Sequence, residues 1–480
     1  MGLNDPVGSK VIHASRAGAR LDSDVRTGGG TDDTEAIQAL LDRAPGMGGL
    51  HLVMDGAALV RGIQVHANTT IECLNPSCGF FLASGSNRSV IRNANPAFYG
   101  ERKDRNIALV GGTYNQNCKG QVHHVTEGGK DRWVIAMEFY GVEDFTMRGV
   151  TIRDQRTFAM LMANWMRVVM DDVRIDLPGH MDRENQDGLH FFGPGRFLTI
   201  RGIQGRSGDD FLALAPDEHD GVSDITDVLI DGVFLDNADQ GIRLLSREKG
   251  RLDRVIIRNV TGTYRSFGFY IDPWVPGTGG NFGSIVFDTV NLGQSEPNYD
   301  YTTPFLFRLG GNIENLTLRN IHHQNPSDGR SIVDVGWPTP DKSHDAMGTN
   351  VRSLLIDGLH IQETEDHAGD AAFLNVVAKV GNMTVRNVEV LRPSGGPSRG
   401  SLIETRGAAC IDTLFLHDVN VRGMDCILRH RRGEIGTVQM NNVIASETGE
   451  ALLRMGGGSI RSVHADAVHG AEPVGPLQDG

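Results

Sequence analysis

Between Asn185 and Ala215 the chain reads NQDGLHFFGPGRFLTIRGIQGRSGDDFLALA, and three aspartates, Asp187, Asp209 and Asp210, stand at the starts of two short apolar runs, GLHFF and FLALA. Carboxylates that share a small patch repel one another, so at least one holds its proton near neutral pH while another stays ionised. A general acid and a general base can then coexist on one surface. Whether residues 187 and 210 become neighbours depends on the elements that carry them.

Those elements repeat. From about Asp144 a phrase recurs, as in FTMRGVTI, RVVMDDVRI, FLTIRGIQG, VIIRNVTG and LTLRNIHH: aliphatics, a polar pair, an aliphatic, another residue and often a further aliphatic. Its anchors are Val150, Val173, Ile203, Val233, Val260, Val290, Ile321, Leu359, Val388, Val419 and Val443, at steps of 23 to 38 residues. A repeat of that length, made of strands and turns, predicts an all-β chain folded as a parallel β-helix, each coil burying its core against the next. The preference of parallel crossovers makes it a right-handed parallel β-helix. The polar pairs, such as Arg258-Asn259, Arg319-Asn320 and Arg386-Asn387, fall where the chain must turn between sheets. Asparagine tolerates the left-handed backbone of such corners.

Between the template phrases lies a second set of strands, among them GLHFF, FLALA, GIRLL and GFYID. Aligned, they put Asp187, Asp210 and Gln240 in one column, and Leu189, Leu212, Ile242 and Phe269 in an inward one. His190, Ala213, Arg243 and Tyr270 then share an outward column, with Asp272 beyond it. Parallel strands lie about 4.8 Å apart, so Asp187 and Asp210 are expected side by side on neighbouring rungs, with Asp209 at the edge of the patch.

Upstream, residues 28–44, GGGTDDTEAIQALLDRA, read as a glycine-rich loop and a short helix from about Asp33 to Arg43 that caps the N-terminal end of the stack. Thr31, Asp32, Asp33 and Thr34 offer N-cap oxygens, while Ala36, Ile37, Leu40 and Leu41 form one apolar face. Capping accounts for the Asp32-Asp33 pair better than catalysis does. The expected organisation is a single β-helix domain: residues 1–50 as loop and cap helix, 51–463 as coils, and 464–480 as a loose tail.

Sixty acidic against 46 basic residues give a formal charge of −14, which repels a nucleic-acid backbone. No apolar run approaches membrane-spanning length. Neither nucleic acid nor a membrane is an expected partner. The start, MGLNDPVGSK, lacks the plan of a signal peptide and leaves secretion open. Of the five cysteines, Cys73 and Cys78 stand close enough to bridge across a turn, Cys410 and Cys426 could lie on adjacent coils, and Cys118 is left over. An odd count without CxxC spacing argues against a zinc site and a disulfide scaffold.

The residues NQD (185 to 187), SGDD (207 to 210) and GIRL (241 to 244), after a GGGTDDTEAIQ start, resemble the polygalacturonase group of glycoside hydrolases, in the pectin-lyase-like β-helix superfamily. The resemblance implies inverting hydrolysis of a glycosidic bond, with no cofactor and no metal, and a poly- or oligosaccharide as the partner. It makes Asp209 the acid that protonates the leaving oxygen, and Asp187 and Asp210 the carboxylates that hold and activate water. Inverting hydrolysis needs acid and base about 6.5 to 9.5 Å apart, room enough for that water. Two departures bear on the substrate. The Gly-His-Gly strand of the family is absent, and Arg243-Leu244-Leu245 stands where the family has Arg-Ile-Lys. The type of chemistry carries over better than a galacturonan substrate.

Candidate substrate contacts follow from the columns. His190 and His219 could replace the missing histidine, and Arg243 could bind an anionic sugar. Tyr270, Asp272 and Trp274 fall one rung further on, where an aromatic ring could stack on a sugar. Trp165 lies in the coil before Asp187. Two alternatives remain: a β-helix polysaccharide lyase, in which the carboxylates hold calcium, and a carbohydrate-binding protein of the tailspike or adhesin kind without catalysis.

Overall fold

The anchor aliphatics of the repeat become the core. All eleven are at most 2% exposed, and they stack in register. In a computed structural model of the chain, Val173 pairs with Ile203 and Ile203 with Val233. Further on, Val260, Val290, Ile321, Leu359, Val388, Val419 and Val443 form one continuous ladder. The structure describes residues 9–178, 185–273, 279–295, 304–324, 331–336, 349–362, 372–392, 399–449, 451–470 and 472–476. They form two compact units, residues 1–219 with 223–238, and 220–222 with 239–480.

Each unit is built from parallel strands that pair from coil to coil, the all-β, right-handed parallel β-helix expected from the repeat. In the first unit Met137–Arg148 pairs with Met160–Asp176, which pairs in turn with Leu189–Phe192 and Gly195–Gly205. The only antiparallel pairing among the described residues is a hairpin, His124–Glu127 with Lys130–Trp133. Its Gly128-Gly129 turn has positive φ at both positions, as a tight hairpin requires. The sequence carries that signal in HVTEGGKDRW.

The corners are where the polar pairs stand. Asn259, Asn320 and Asn387 have φ of 58°, 53° and 54°, the left-handed backbone that asparagine adopts most readily among residues with a side chain. Their amides also tie rungs together: Asn320 donates to Asp288 at 3.0 Å and Asn387 to Asp357 at 2.6 Å.

Two expectations are corrected, the bounds of the cap helix and the looseness of the tail. The cap helix is shorter, Thr34–Leu41, and Asp33 does not cap it: its carboxylate accepts from the backbone N–H groups of Arg20 and Leu21 at 2.7 and 2.9 Å, tying down the preceding loop. Asp32 instead accepts from the Thr34 N–H at 3.0 Å and pairs with Arg61 at 2.8 Å. All five cysteines are free thiols. Cys410 and Cys426 lie in different strand ladders, Cys410 facing Lys379 and Glu434 and Cys426 facing Ser401. The tail is not loose where it is described, since Ser459–His469 and Glu472–Pro476 continue the two ladders. Backbone pairing to a preceding rung is available to any extended segment, and the residues after Val463 use it.

Candidate active site

In the first unit the NQD and GDD segments come together as neighbouring rungs. Leu189 pairs with Leu212 and His190 with Ala213, and the same offset of residues separates Asp187 from Asp210. The ladder continues to that point, because the Gly188 N–H donates to the Asp210 carbonyl at 2.9 Å and the Gly208 N–H to the Gln186 carbonyl at 3.0 Å. On the other side the Ala159 N–H donates to the Asp187 carbonyl at 2.9 Å. Gly188 makes this approach possible, since a Cβ there would lie 2.1 Å from the Phe211 carbonyl oxygen. Asp187 and Asp210 are 3% and 6% exposed, while Asp209 beside them is half-buried. The Ser207 hydroxyl donates to the Asp209 carbonyl at 2.8 Å and holds the turn that carries the pair.

His190 is the centre of a polar cluster that the sequence only half revealed. Its Nδ1 lies 2.8 Å from Asp187 Oδ2 and its Nε2 lies 3.0 Å from Glu218 Oε2. Phe158 stacks on the ring at 4.9 Å between centroids, and Phe192 meets it edge-on at 5.0 Å. Burial pushes the imidazole pKa down, but the bonds to Asp187 and Glu218 outweigh it and lift it to about 10, so His190 is an imidazolium at neutral pH. The expected outward histidine is thus 4% exposed and held between two carboxylates rather than open to a sugar. Glu218 falls in no column of the repeat, because it comes from the loop after the strand Asp210–Ala215.

His219, next in that loop, stacks on Phe192 at 5.1 Å and on Tyr99 at 5.3 Å, with Phe98 at 5.7 Å. Tyr99 is 56% exposed and Phe98 37%, so aromatic edges rim the cluster. These two residues come from a loop in an early coil, far away in sequence, and no periodicity marked them.

Trp165 is corrected. It is 0% exposed, its indole N–H donates to the Phe192 carbonyl at 2.9 Å, and it fills the space left by Gly195, where a Cβ would lie 2.1 Å from the ring. Trp165 is part of the core beneath the cluster and cannot touch a saccharide.

Arg243, Tyr270 and Asp272 meet in the second unit. The Arg243 guanidinium lies 4.2 Å over the Tyr270 ring, and that of Arg308 lies 5.3 Å from it. Arg243 also approaches Asp272 Oδ1 at 3.9 Å. Tyr270 is 3% exposed, so stacking on a sugar is corrected to stacking under arginine. Its rung opens a polar ladder, Tyr270, Arg308, Asp334, Asn375, Glu404, Arg429 and Arg454. Within it, burial pushes the Asp334 carboxyl up to about 7 against bonds from Asn375 and Ser331. Trp274 lies outside the described residues. No group of acidic, histidine and cysteine side chains suited to a metal ion occurs among the described residues.

No family model and no curated relative matches the chain. Solved structures do. The family 28 exopolygalacturonase of Yersinia enterocolitica is similar over 97% of this chain and 79% of its own, with a TM-score of 0.51 and 12% identity. The N-terminal fragment of gene product 12 of bacteriophage Phi29 is similar over 96% of this chain and 71% of its own, with a TM-score of 0.50 and 13% identity. At such identities the likeness is one of fold, that of a parallel β-helix.

Proposed function

We propose that this chain is a glycoside hydrolase that cleaves a poly- or oligosaccharide by inversion. The observation that carries the reading is the register that sets Asp187 over Asp210 on adjacent rungs, with Asp209 beside them. Asp209, the more exposed of the three, is the acid that protonates the leaving oxygen. Asp187 and Asp210 activate water on the opposite side of the bond. His190 and Glu218 are positioning residues: the imidazolium binds Asp187 and fixes the direction in which that carboxylate faces. Acid and base catalysis of this kind uses no cofactor.

A second reading has one observation in its favour. Asp187 and Asp210 are mostly covered and Asp187 is bonded to His190, which suits carboxylates that brace the sheet face of a non-catalytic carbohydrate-binding protein. Incubation with plant, algal and bacterial glycans separates the readings. New reducing ends without unsaturated uronate absorbance are expected for the hydrolase. Unsaturated ends would mean a lyase, and binding with neither signal would favour the second reading.

A further inference from the structure

The outward column that carries His190 runs on through the first unit, from Ala213 and His190 to Leu161, Glu138, Arg92 and Gln64. Over the Arg92 end of this column the sheet face is hollow. A cleft of about 340 Å³ lies between the strand Ile91–Asn93 and the hairpin Lys130–Trp133, with Arg88, Arg92, Arg132 and Trp133 in its walls. A volume of this order is what small-molecule sites occupy.

Charge in this cleft is not balanced. Glu138, on the rung next to Arg92, is bonded to other groups: the Ser89 hydroxyl, the Tyr140 hydroxyl at 2.7 Å and Arg132 at 2.9 Å. Glu127 is bonded to Arg132 as well. That leaves the guanidiniums of Arg92 and Arg88, which form no hydrogen bond or ion pair with the described residues. Two guanidiniums with no carboxylate bonded to them line one hollow, and the three arginines of the lining outnumber its two glutamates, in a chain of net charge −14. Arginine presents a planar fork that matches a carboxylate or a sulfate. Trp133 gives the same cleft an apolar wall, and its ring meets Phe158 at 4.9 Å, the residue that stacks on His190. Aromatic surface therefore joins the cleft to the carboxylate cluster.

We propose that the Arg92 cleft is a subsite for a saccharide unit bearing a carboxylate or a sulfate, held three rungs from His190. By parallel-strand spacing the two places are about 14 Å apart, a span for a short oligosaccharide lying along the column. The proposal rests on the hydrolase reading only for what happens at the other end of that oligosaccharide, and the binding itself is measured separately.

The test uses the Asp209→Asn chain, which removes turnover, and isothermal titration with three probes of equal length: an oligogalacturonate, a sulfated galactan oligosaccharide that carries no uronate, and a neutral xylo-oligosaccharide. One or both acidic probes are expected to bind more tightly than the neutral one, and the tighter of the two identifies carboxylate or sulfate as the anion. Adding Arg92→Gln is expected to weaken that binding about tenfold, as loss of a charge-assisted contact does, while Arg92→Lys retains part of it. Because Arg92 has no partner to lose, the variant should melt where the parent does. If it does not, the fall of acidic-probe binding with salt in the parent decides instead. Equal affinity for acidic and neutral probes, no binding of either acidic probe, or an Arg92→Gln variant that binds like its parent would each overturn the proposal. Absence of cleavage by the wild-type chain, by contrast, would count against the hydrolase reading and leave the subsite standing.

Discussion

His190 stands between Asp187 and Glu218, with Nδ1 2.8 Å from one carboxylate and Nε2 3.0 Å from the other. Both ring nitrogens donate only when the ring is protonated. The two carboxylates and the cation therefore stabilise one another, and the charge state of the cluster is linked to the stability of the fold.

That linkage has a definite sign. The folded pKa of His190 is lifted from 6.5 to about 10. Its contribution is fully present below pH 6.5, and it is lost as pH rises toward 10. Wild-type protein should lose on the order of a few kcal/mol across that window, read as a falling urea midpoint, and His190→Gln should lose less over the same range. Parallel pH profiles for the two proteins would contradict the ion-paired histidine.

Glu218→Gln tests the same cluster from the other side. It removes one of the two carboxylates that raise the imidazole pKa, so His190 should titrate at lower pH, observable by NMR of the ring. If His190 positions Asp187, turnover should fall while substrate affinity changes little, and the alkaline limb of the activity profile should move down with the imidazole pKa. A change confined to thermal stability would reduce Glu218 to a structural role.

For the chemical step, Asp209→Asn should reduce turnover by about 10² to 10⁴, the range for loss of a general acid or base. Its thermal midpoint should hold near wild type, since the side chain is half-exposed. Substantial residual activity on a glycan that the wild type cleaves would move the acid to another residue.

Gly188→Ala addresses the register itself. A Cβ there would meet the Phe211 carbonyl oxygen at 2.1 Å and force the two rungs apart, a strain on the order of 1 to 3 kcal/mol. Both stability and turnover should drop. Unchanged activity would mean that the close approach of Asp187 and Asp210 is not needed.

Trp165→Ala should cost about 3 to 5 kcal/mol by opening a cavity in the core. In the fraction that stays folded, the affinity for saccharide should be unchanged. A selective loss of binding with no loss of stability would return Trp165 to the substrate surface.

The sequence by itself determined the ladders. Val173, Ile203 and Val233, or Val260 through Val443, recur because every coil must bury the same position against its neighbour, and a periodic requirement leaves a periodic trace. The same logic put Asp187 on a rung beside Asp210, and asparagine at the corners where φ turns positive. Other features have no period. Glu218 reaches His190 from a loop, Tyr99 and Phe98 reach His219 from an early coil, and Arg92 remains a bare cation because Glu138 is bonded to Ser89, Tyr140 and Arg132. Trp165 and Tyr270 looked like surface aromatics on a strand and are both buried, one above a glycine and one under two guanidiniums. Such outcomes depend on which side chain fills which space and which charge finds a partner first, and only the tertiary structure decides that.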